Sequence, residues 1–175
     1  ACCVVNNIHN NIYKHLGPLY HQSGNSTNFF DWIICDFKSI IYVFENLVYR
    51  DDKFLNRNIF TSENVYVHHK LWGGWANVNK KVECRDTKMV FLHDVVKSTV
   101  QIPKEFFDKY KRRFERLYNK IIEHDTIHFI HCFDFQWLPA YFPTKEEIDT
   151  FFKYCKTINP ICNIQLYFLI DPRYD

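Results

Sequence analysis

The chain has 175 residues, of which 47% are hydrophobic, 24% are charged and 18% are aromatic. This length fits one hydrophobic core and this composition excludes a disordered or fibrous protein, so we expect a single globular domain over residues 1–175. The formal net charge of +2 is too small to indicate nucleic acid or another polyanion as the partner.

The seven cysteines are spread along the chain, and their number is odd. Small secreted domains pair closely spaced cysteines in disulfides, so this distribution predicts an intracellular, reducing compartment. The low counts of glycine (4) and methionine (1), beside abundant Asn, Lys, Ile, Phe and Tyr, indicate an AT-rich genome such as that of a large DNA virus or a protist. If the protein is viral, that compartment is the host cytoplasm or the virion. The apolar runs are far shorter than the ~20 residues that cross a bilayer, so no membrane span is expected.

The first half of the chain begins with a short apolar run at residues 2–5, which predicts a strand, and continues into a polar loop. Apolar residues at helical spacing predict an amphipathic helix over residues 33–48. Alternating or continuous apolar residues predict strands over residues 63–71 and 88–96, and the Trp-Gly-Gly-Trp sequence at residues 72–75 predicts a turn between them.

The second half carries the clearest periodicity. An apolar stripe predicts a helix over residues 103–123, and alternation predicts a central strand over residues 126–133. A Thr-Lys-Glu-Glu capping box predicts the start of a helix over residues 144–156. Residues 163–170 are apolar at nearly every position, as in a strand that is covered on both faces. Together these elements predict an α/β domain whose central mixed sheet has about four to six strands, with helices packed against it.

Five short motifs then follow one another in a fixed order along the chain. They are Leu16-Gly17-Pro18-Leu19-Tyr20, Phe30-Asp31-Trp32, Phe91-Leu92-His93-Asp94, Lys109-Tyr110-Lys111-Arg112-Arg113-Phe114-Glu115 and Ile127-His128-Phe129-Ile130. This ordered set resembles the papain-like cysteine peptidases of unknown substrate that occur in bacteria and large DNA viruses. The resemblance covers nearly the whole chain and implies a single papain-like α/β domain.

The resemblance also implies an active site. In that family the first motif reads Leu-Gly-x-x-Cys, and the cysteine is the nucleophile, but here the matching residue is Tyr20. A phenol with a pKa near ~10 is a poor substitute for a thiolate at neutral pH. His93 matches the catalytic base with Asp94 beside it, or else the two end a strand, and Asp31 either orients the imidazole or caps the following helix. Because the ordered motifs of the family are present but its nucleophilic cysteine is absent, the resemblance predicts a degenerate member. Such a member would bind a protein or peptide partner.

Two other hypotheses remain: one is an enzyme that uses a different cysteine, and the other is a module that binds a different class of ligand. A displaced thiol, Cys35 or Cys132, could act with His93 in hydrolysis or acyl transfer. His131 and Asp134 are a second candidate pair for the catalytic base and its acidic neighbour. Alternatively, Trp72, Trp75 and Tyr66 could stack on a glycan or a nucleotide, or pack in the core.

Metal and nucleic-acid sites are the last classes that the sequence raises. Several residues of types that bind metals show neither Cys-x-x-Cys nor His-Glu-x-x-His spacing, so no metal or other cofactor is predicted: His68, His69, Cys84, His93, His131 and Cys132. The helix over residues 103–123 carries several cations that could face phosphate: Lys104, Lys109, Lys111, Arg112, Arg113, Arg116 and Lys120. Acidic residues Glu105, Asp108 and Glu115 interrupt them and favour a solvated face with i,i+4 ion pairs.

Overall fold

A computed structural model describes residues 29–30, 33–52, 55, 60–63, 67–69, 74–76, 81–84, 87, 89–91, 102, 104–133 and 142–170. The described part of the chain contains both helices and short strands, as the α/β prediction requires. In chain order the elements are β1 (Ile33–Ile34), α1 (Phe37–Val48), β2 (Phe60–Glu63), β3 (Val67–His69), β4 (Gly74–Ala76), β5 (Lys81–Cys84), β6 (Val90–Phe91), α2 (Lys104–Glu123), β7 (Thr126–Phe133), α3 (Lys145–Ile158) and β8 (Asn163–Ile170).

The strands of the described residues fall into three sheets. An antiparallel sheet has the order β1-β6-β5-β2, an antiparallel pair joins β3 to β4, and a parallel pair joins β7 to β8. The described strands therefore do not form one central mixed sheet. The α/β prediction is confirmed only in that helices and strands are both present. The connection from β7 to β8 runs through α3, the kind of crossover that a parallel pair needs.

Helix α1 starts later than its apolar spacing predicts. The side chain of Asp36 accepts hydrogen bonds from the backbone N–H of Ser39 at 2.8 Å and from its hydroxyl at 2.6 Å, which fixes Asp36 as the N-cap. Ile33 and Ile34, both β-branched, instead form β1 and pair with Phe91 and Val90 of β6. The predicted helix over residues 33–48 is thus wrong at its first four positions, and so is the prediction that Asp31 caps this helix.

Helix α2 confirms the apolar stripe that predicted it. The residues Phe106, Tyr110, Phe114, Leu117 and Ile121 are all buried. Arg113 is also buried, at 3% exposure; one of its Nη atoms donates to the Tyr110 hydroxyl, and the guanidinium lies 5.0 Å from the centre of that ring. Arg113 therefore belongs to the interior and not to the basic face on which the sequence placed it.

The β7-α3-β8 unit is the part where sequence and structure agree most closely. The predicted capping box is present, because Thr144 N–H donates to Glu147 Oε2 at 2.8 Å and Glu147 N–H donates to Thr144 Oγ1 at 3.3 Å. Phe151 and Cys155 face inward as predicted. The strand β8, however, is not covered on both faces, since Tyr167 is 44% exposed and stacks on exposed His128.

One buried side chain fastens the end of α2 to the end of α3. Asn159, the C-cap residue of α3, donates from Nδ2 to the carbonyl oxygens of Ile121 and Ile122 at 2.7 and 3.3 Å. Its Oδ1 accepts from the N–H of Ile161. The last carbonyls of α2, which lack intrahelical donors, are therefore satisfied from another element.

The middle of the chain departs most from its prediction. The strand predicted over residues 63–71 covers parts of β2 and β3, which belong to different sheets, and β5 was not predicted. Gly74 and Trp75, placed in a turn by their glycine signal, lie in β4 and pair with His69 and His68. These strands are three or four residues long, so their state is decided by pairing across the sheet and not by local pattern.

The buried core is largely aromatic. Phe44 meets Phe151 with ring centres 4.8 Å apart, and Phe91 meets Tyr110 at 4.6 Å, both edge to face. Phe29 is fully buried and packs against Tyr110 at 5.7 Å. The core thus joins the antiparallel sheet, α1, α2 and α3. Of the helices in the described ranges, none is both long enough and apolar enough to cross a membrane.

Candidate functional site

The residues predicted to form the active site are Tyr20, Asp31, His93 and Asp94, and all four lie outside the described residues, as does Asp134. Of the predicted loop over residues 15–32, the structure describes only Phe29 and Phe30. These two rings pack edge to face at 5.1 Å, and Phe30 also stacks on Phe44. The end of the predicted loop is therefore held by the aromatic core.

The first strand and the sixth strand frame this region. Ile33 pairs with Phe91 in an antiparallel ladder. In the sequence, Asp31 comes two residues before Ile33, and His93 comes two residues after Phe91. The start of β1 and the end of β6 therefore lie at the same end of the sheet, as antiparallel pairing requires.

Cys35, one of the two thiols considered as a displaced nucleophile, lies between β1 and α1 and not on the helix as predicted. It is half-buried and unpaired in any disulfide. Burial, and secondarily the charge of Asp36, raises the pKa of Cys35 to about 12. A reactive cysteine needs the opposite environment, one that lowers its pKa and stabilises the thiolate.

Asp36 occupies the place at a helix start where a nucleophilic thiolate would gain most. The N–H groups of the first turn carry partial positive charge and favour an anion there. The Asp36 carboxylate takes up that interaction through Ser39, whose side chain is 2% exposed. The start of α1 therefore stabilises a structural carboxylate beside Cys35 and leaves the thiol protonated.

His131 packs against Phe37, the first residue of α1. Its ring lies edge-on to Phe37 at 5.8 Å and to Phe168 at 6.2 Å. Burial lowers the pKa of His131 to about 4, although the Asp36 charge acts in the opposite direction. A base with so low a pKa holds its proton weakly at neutral pH, so His131 is poorly suited to general-base catalysis.

The remaining described thiols are interior groups. Cys84, Cys155 and Cys162 are all fully buried. Burial raises the pKa of Cys155 and of Cys162, and the neighbouring Cys162 raises that of Cys155 further. The backbone of Cys132 lies in β7 opposite Leu169. The buried thiols behave as small apolar residues.

Among the described residues, no three His, Cys, Asp or Glu side chains come together in a way that could hold a metal ion. His93 lies outside those residues. His68 and Trp75 are neighbours across the β3–β4 pair. Trp72 and Tyr66, which with Trp75 would form the predicted stacking platform, also lie outside the described residues.

Two charged side chains of α2 form ion pairs with the segment that follows α1. Lys111 Nζ lies 2.6 Å from Asp52 Oδ2, and Arg50 lies 2.6 Å from Glu115 Oε2. The guanidinium of Arg50 also sits 3.9 Å from the centre of the Tyr118 ring. The predicted solvated face is therefore tied to the segment that follows α1.

Asp36 and Arg50 are the residues of interest that the sequence analysis missed. An Asp immediately before an apolar helical repeat is an N-cap signal and could have revealed Asp36. Arg50 pairs with a residue 65 positions away, for which no local signal exists. No protein-family model, no curated protein and no solved structure matches this chain.

Proposed function

We propose that this chain is a papain-like cysteine-peptidase-type domain that has lost its nucleophile at Tyr20 and acts by binding a protein or peptide partner. The observation that carries the proposal is the environment of Cys35. This thiol is placed at a helix start, yet burial and Asp36 hold its pKa at about 12.

The size of that shift argues against catalysis through Cys35. At pH 7 a thiol with such a pKa is ionised in roughly one molecule in 100,000, and the thiolate is the form that attacks a carbonyl. Tyr20 does not replace it, because an ordinary phenol is also protonated at this pH. A domain with these groups retains a shaped surface without an activated nucleophile.

The proposed binding site lies at the end of the sheet where β1 starts and β6 ends. The pairing of Ile33 with Phe91 supports this choice, because Asp31 comes two residues before Ile33 and His93 comes two residues after Phe91 along the chain. In this proposal Asp31, His93 and Asp94 keep the family frame as recognition groups. They contact the partner, and no covalent intermediate forms.

Thiol labelling tests the proposal. The folded protein is treated with a broad thiol-directed hydrolase probe at neutral pH, and labelled sites are mapped by mass spectrometry. We expect less than stoichiometric labelling of any single cysteine, while the unfolded protein labels at all seven. The matched variants are His93→Ala and Cys35→Ser. Stoichiometric labelling of Cys35 or Cys132 that disappears in His93→Ala would overturn the proposal in favour of a thiol hydrolase or acyltransferase.

A further inference from the structure

A groove of about 650 Å³ runs beside helix α2. The described residues that line it are Asp108, Lys111, Arg112, Glu115 and Arg116. They span just over two turns of α2 and come from one side of it. Side chains three or four residues apart on a helix are neighbours, so Arg112 and Arg116 stand one above the other. The described lining thus carries three cations and two anions.

Ion pairs account for part of this charge. Lys111 is paired with Asp52, and Glu115 with Arg50, each at 2.6 Å. The hydrogen bond from Lys111 to Asp52 raises the pKa of Lys111 and keeps it charged. Arg112 is exposed and has no ion-pair partner among the described residues. Two guanidinium groups and the Asp108 carboxylate are left to meet a ligand.

Arg116 carries a second indication of an absent partner. Its Nε is buried, and no hydrogen-bond acceptor for it occurs in the described part of the chain. A buried donor without an acceptor costs roughly 1–3 kcal/mol, and the cost is higher for a charged group. Such groups are rare in folded proteins and call for an explanation at each occurrence. A carboxylate in the groove supplies that acceptor only if the guanidinium turns outward, because Nε itself is closed to solvent.

We propose that this groove binds an acidic segment of a partner protein, with a carboxylate held between the guanidinium groups of Arg112 and Arg116. This inference goes beyond the site proposed at the end of β1 and β6, and it assigns a second surface to a partner of stated chemistry. A guanidinium donates two parallel N–H bonds to a carboxylate, which gives both strength and orientation. Asp108, one turn before Arg112, then selects a cationic or neutral residue next to the acidic one.

The lining favours a peptide over nucleic acid. Nucleic-acid sites gain their affinity from several cations that neutralise successive phosphates. Here the Glu115 carboxylate lies between Arg112 and Arg116, the Asp108 carboxylate lies one turn before Arg112, and both would repel a continuous polyanion. A peptide can place one carboxylate at the arginines and leave other positions uncharged.

Fluorescence anisotropy with defined probes tests the groove. The probe is a labelled peptide of alternating Glu and Ala, compared with its Gln counterpart, with inorganic phosphate as competitor, and with short single-stranded DNA. We expect the Glu peptide to bind and the Gln peptide to bind at least tenfold more weakly. The double variant Arg112→Ala/Arg116→Ala should lose at least tenfold in affinity for the Glu peptide. Arg112→Lys/Arg116→Lys keeps the charge but not the planar fork, and should lose less.

The matched control is Lys104→Ala/Lys153→Ala, which removes the same charge from two exposed residues outside the groove lining. It should leave the affinity for the Glu peptide within twofold. Equal losses in the control and in the arginine variant, tighter binding of DNA, or full displacement by phosphate would each overturn the groove proposal. None of these results concerns the thiols, so labelling at Cys35 or Cys132 remains a separate test of the function proposed above.

Discussion

The start of α1 and the exposed side of α2 both carry polar and charged side chains, but the two regions hold them in different environments. At the start of α1 the Cys35 thiol is held protonated, the His131 imidazole is held neutral and the Asp36 carboxylate is used as a helix cap. On α2 the side chains of Arg112 and Arg116 line an open groove. The comparison teaches that residue type gives the available chemistry, while burial and pairing decide whether it is expressed.

The largest effect expected from this difference is the dependence of stability on pH that the titration of His131 causes. Its pKa is lowered from 6.5 to about 4 by burial, so between these values the unfolded chain binds a proton that the folded protein does not. Stability should therefore fall as the pH drops from about 6.5 to about 4, by at most about 1.4 kcal/mol per pH unit. Urea unfolding at several pH values measures this slope.

His131→Phe should remove most of that slope, because no imidazole remains to be protonated. The control is His128→Phe, which replaces the exposed histidine three residues earlier in the same strand and should leave the slope in place. An unchanged slope in His131→Phe would show that other groups cause the acid sensitivity, and that the imidazole is not held neutral by burial.

A second, smaller effect separates the two roles of Asp36. Asp36→Ala should cost about 1 kcal/mol, because the N–H of Ser39 loses its acceptor. Asp36→Asn keeps a capping side chain and removes only the charge, so it should cost less. Both variants should lower the pKa of Cys35, since the Asp36 charge contributes to raising it. Thermal unfolding and the pH dependence of iodoacetamide alkylation measure the two roles.

Cys35 should nevertheless stay largely protonated at pH 7 in both variants, because burial is the larger cause of its shift. Rapid alkylation of Cys35 at neutral pH in Asp36→Asn would reverse the contrast, since it would make a single carboxylate the reason that this thiol is unreactive.

The smallest effect concerns Arg50, which joins the segment after α1 to α2. Arg50 has a φ of 54°, a left-handed conformation that glycine adopts without strain. Arg50→Ala should lose the ion pair with Glu115, and the loss of this exposed pair should cost about 0.5–1 kcal/mol. The backbone strain at position 50 should remain. Arg50→Gly loses the same pair but relieves the strain, so its stability should exceed that of Arg50→Ala by roughly 1 kcal/mol.

Both Arg50 variants should weaken binding of the Glu peptide a fewfold, because they leave the Glu115 carboxylate unneutralised in the groove. Anisotropy titrations on the two variants measure this loss. Unaltered affinity in both would separate Glu115 from the groove's electrostatics and sharpen the proposed role to Arg112 and Arg116 alone.

The second half of the chain could be predicted well because its signals are local. The stripe from Phe106 to Ile121 repeats every turn, and the Thr144–Glu147 box lies within four residues, so the pattern itself contains the structure. In the middle, the three residues of β4 depend on pairing with β3, and the sequence signal of Gly74 points to a turn instead. The single domain and its papain-like topology stay predictions.

The candidate site was less accessible to sequence reasoning than the fold. Charge and residue type identified Arg112 and Arg116 as members of a basic helix, but not which cations are already paired. That depends on Asp52 and Arg50, which approach α2 only in the folded chain. Likewise, nothing near His131 in the sequence predicts the two phenylalanine rings that pack against it.

The amide of Asn159 has a consequence for how the protein opens. Because this one side chain holds the last carbonyls of α2 while its own backbone ends α3, neither helix can fray at that end without releasing the other. The two termini are therefore expected to exchange their amide hydrogens together, as one cooperative unit. Helix α2 should thus open together with the β7-α3-β8 unit. A partner that binds α2 would slow amide hydrogen exchange in both.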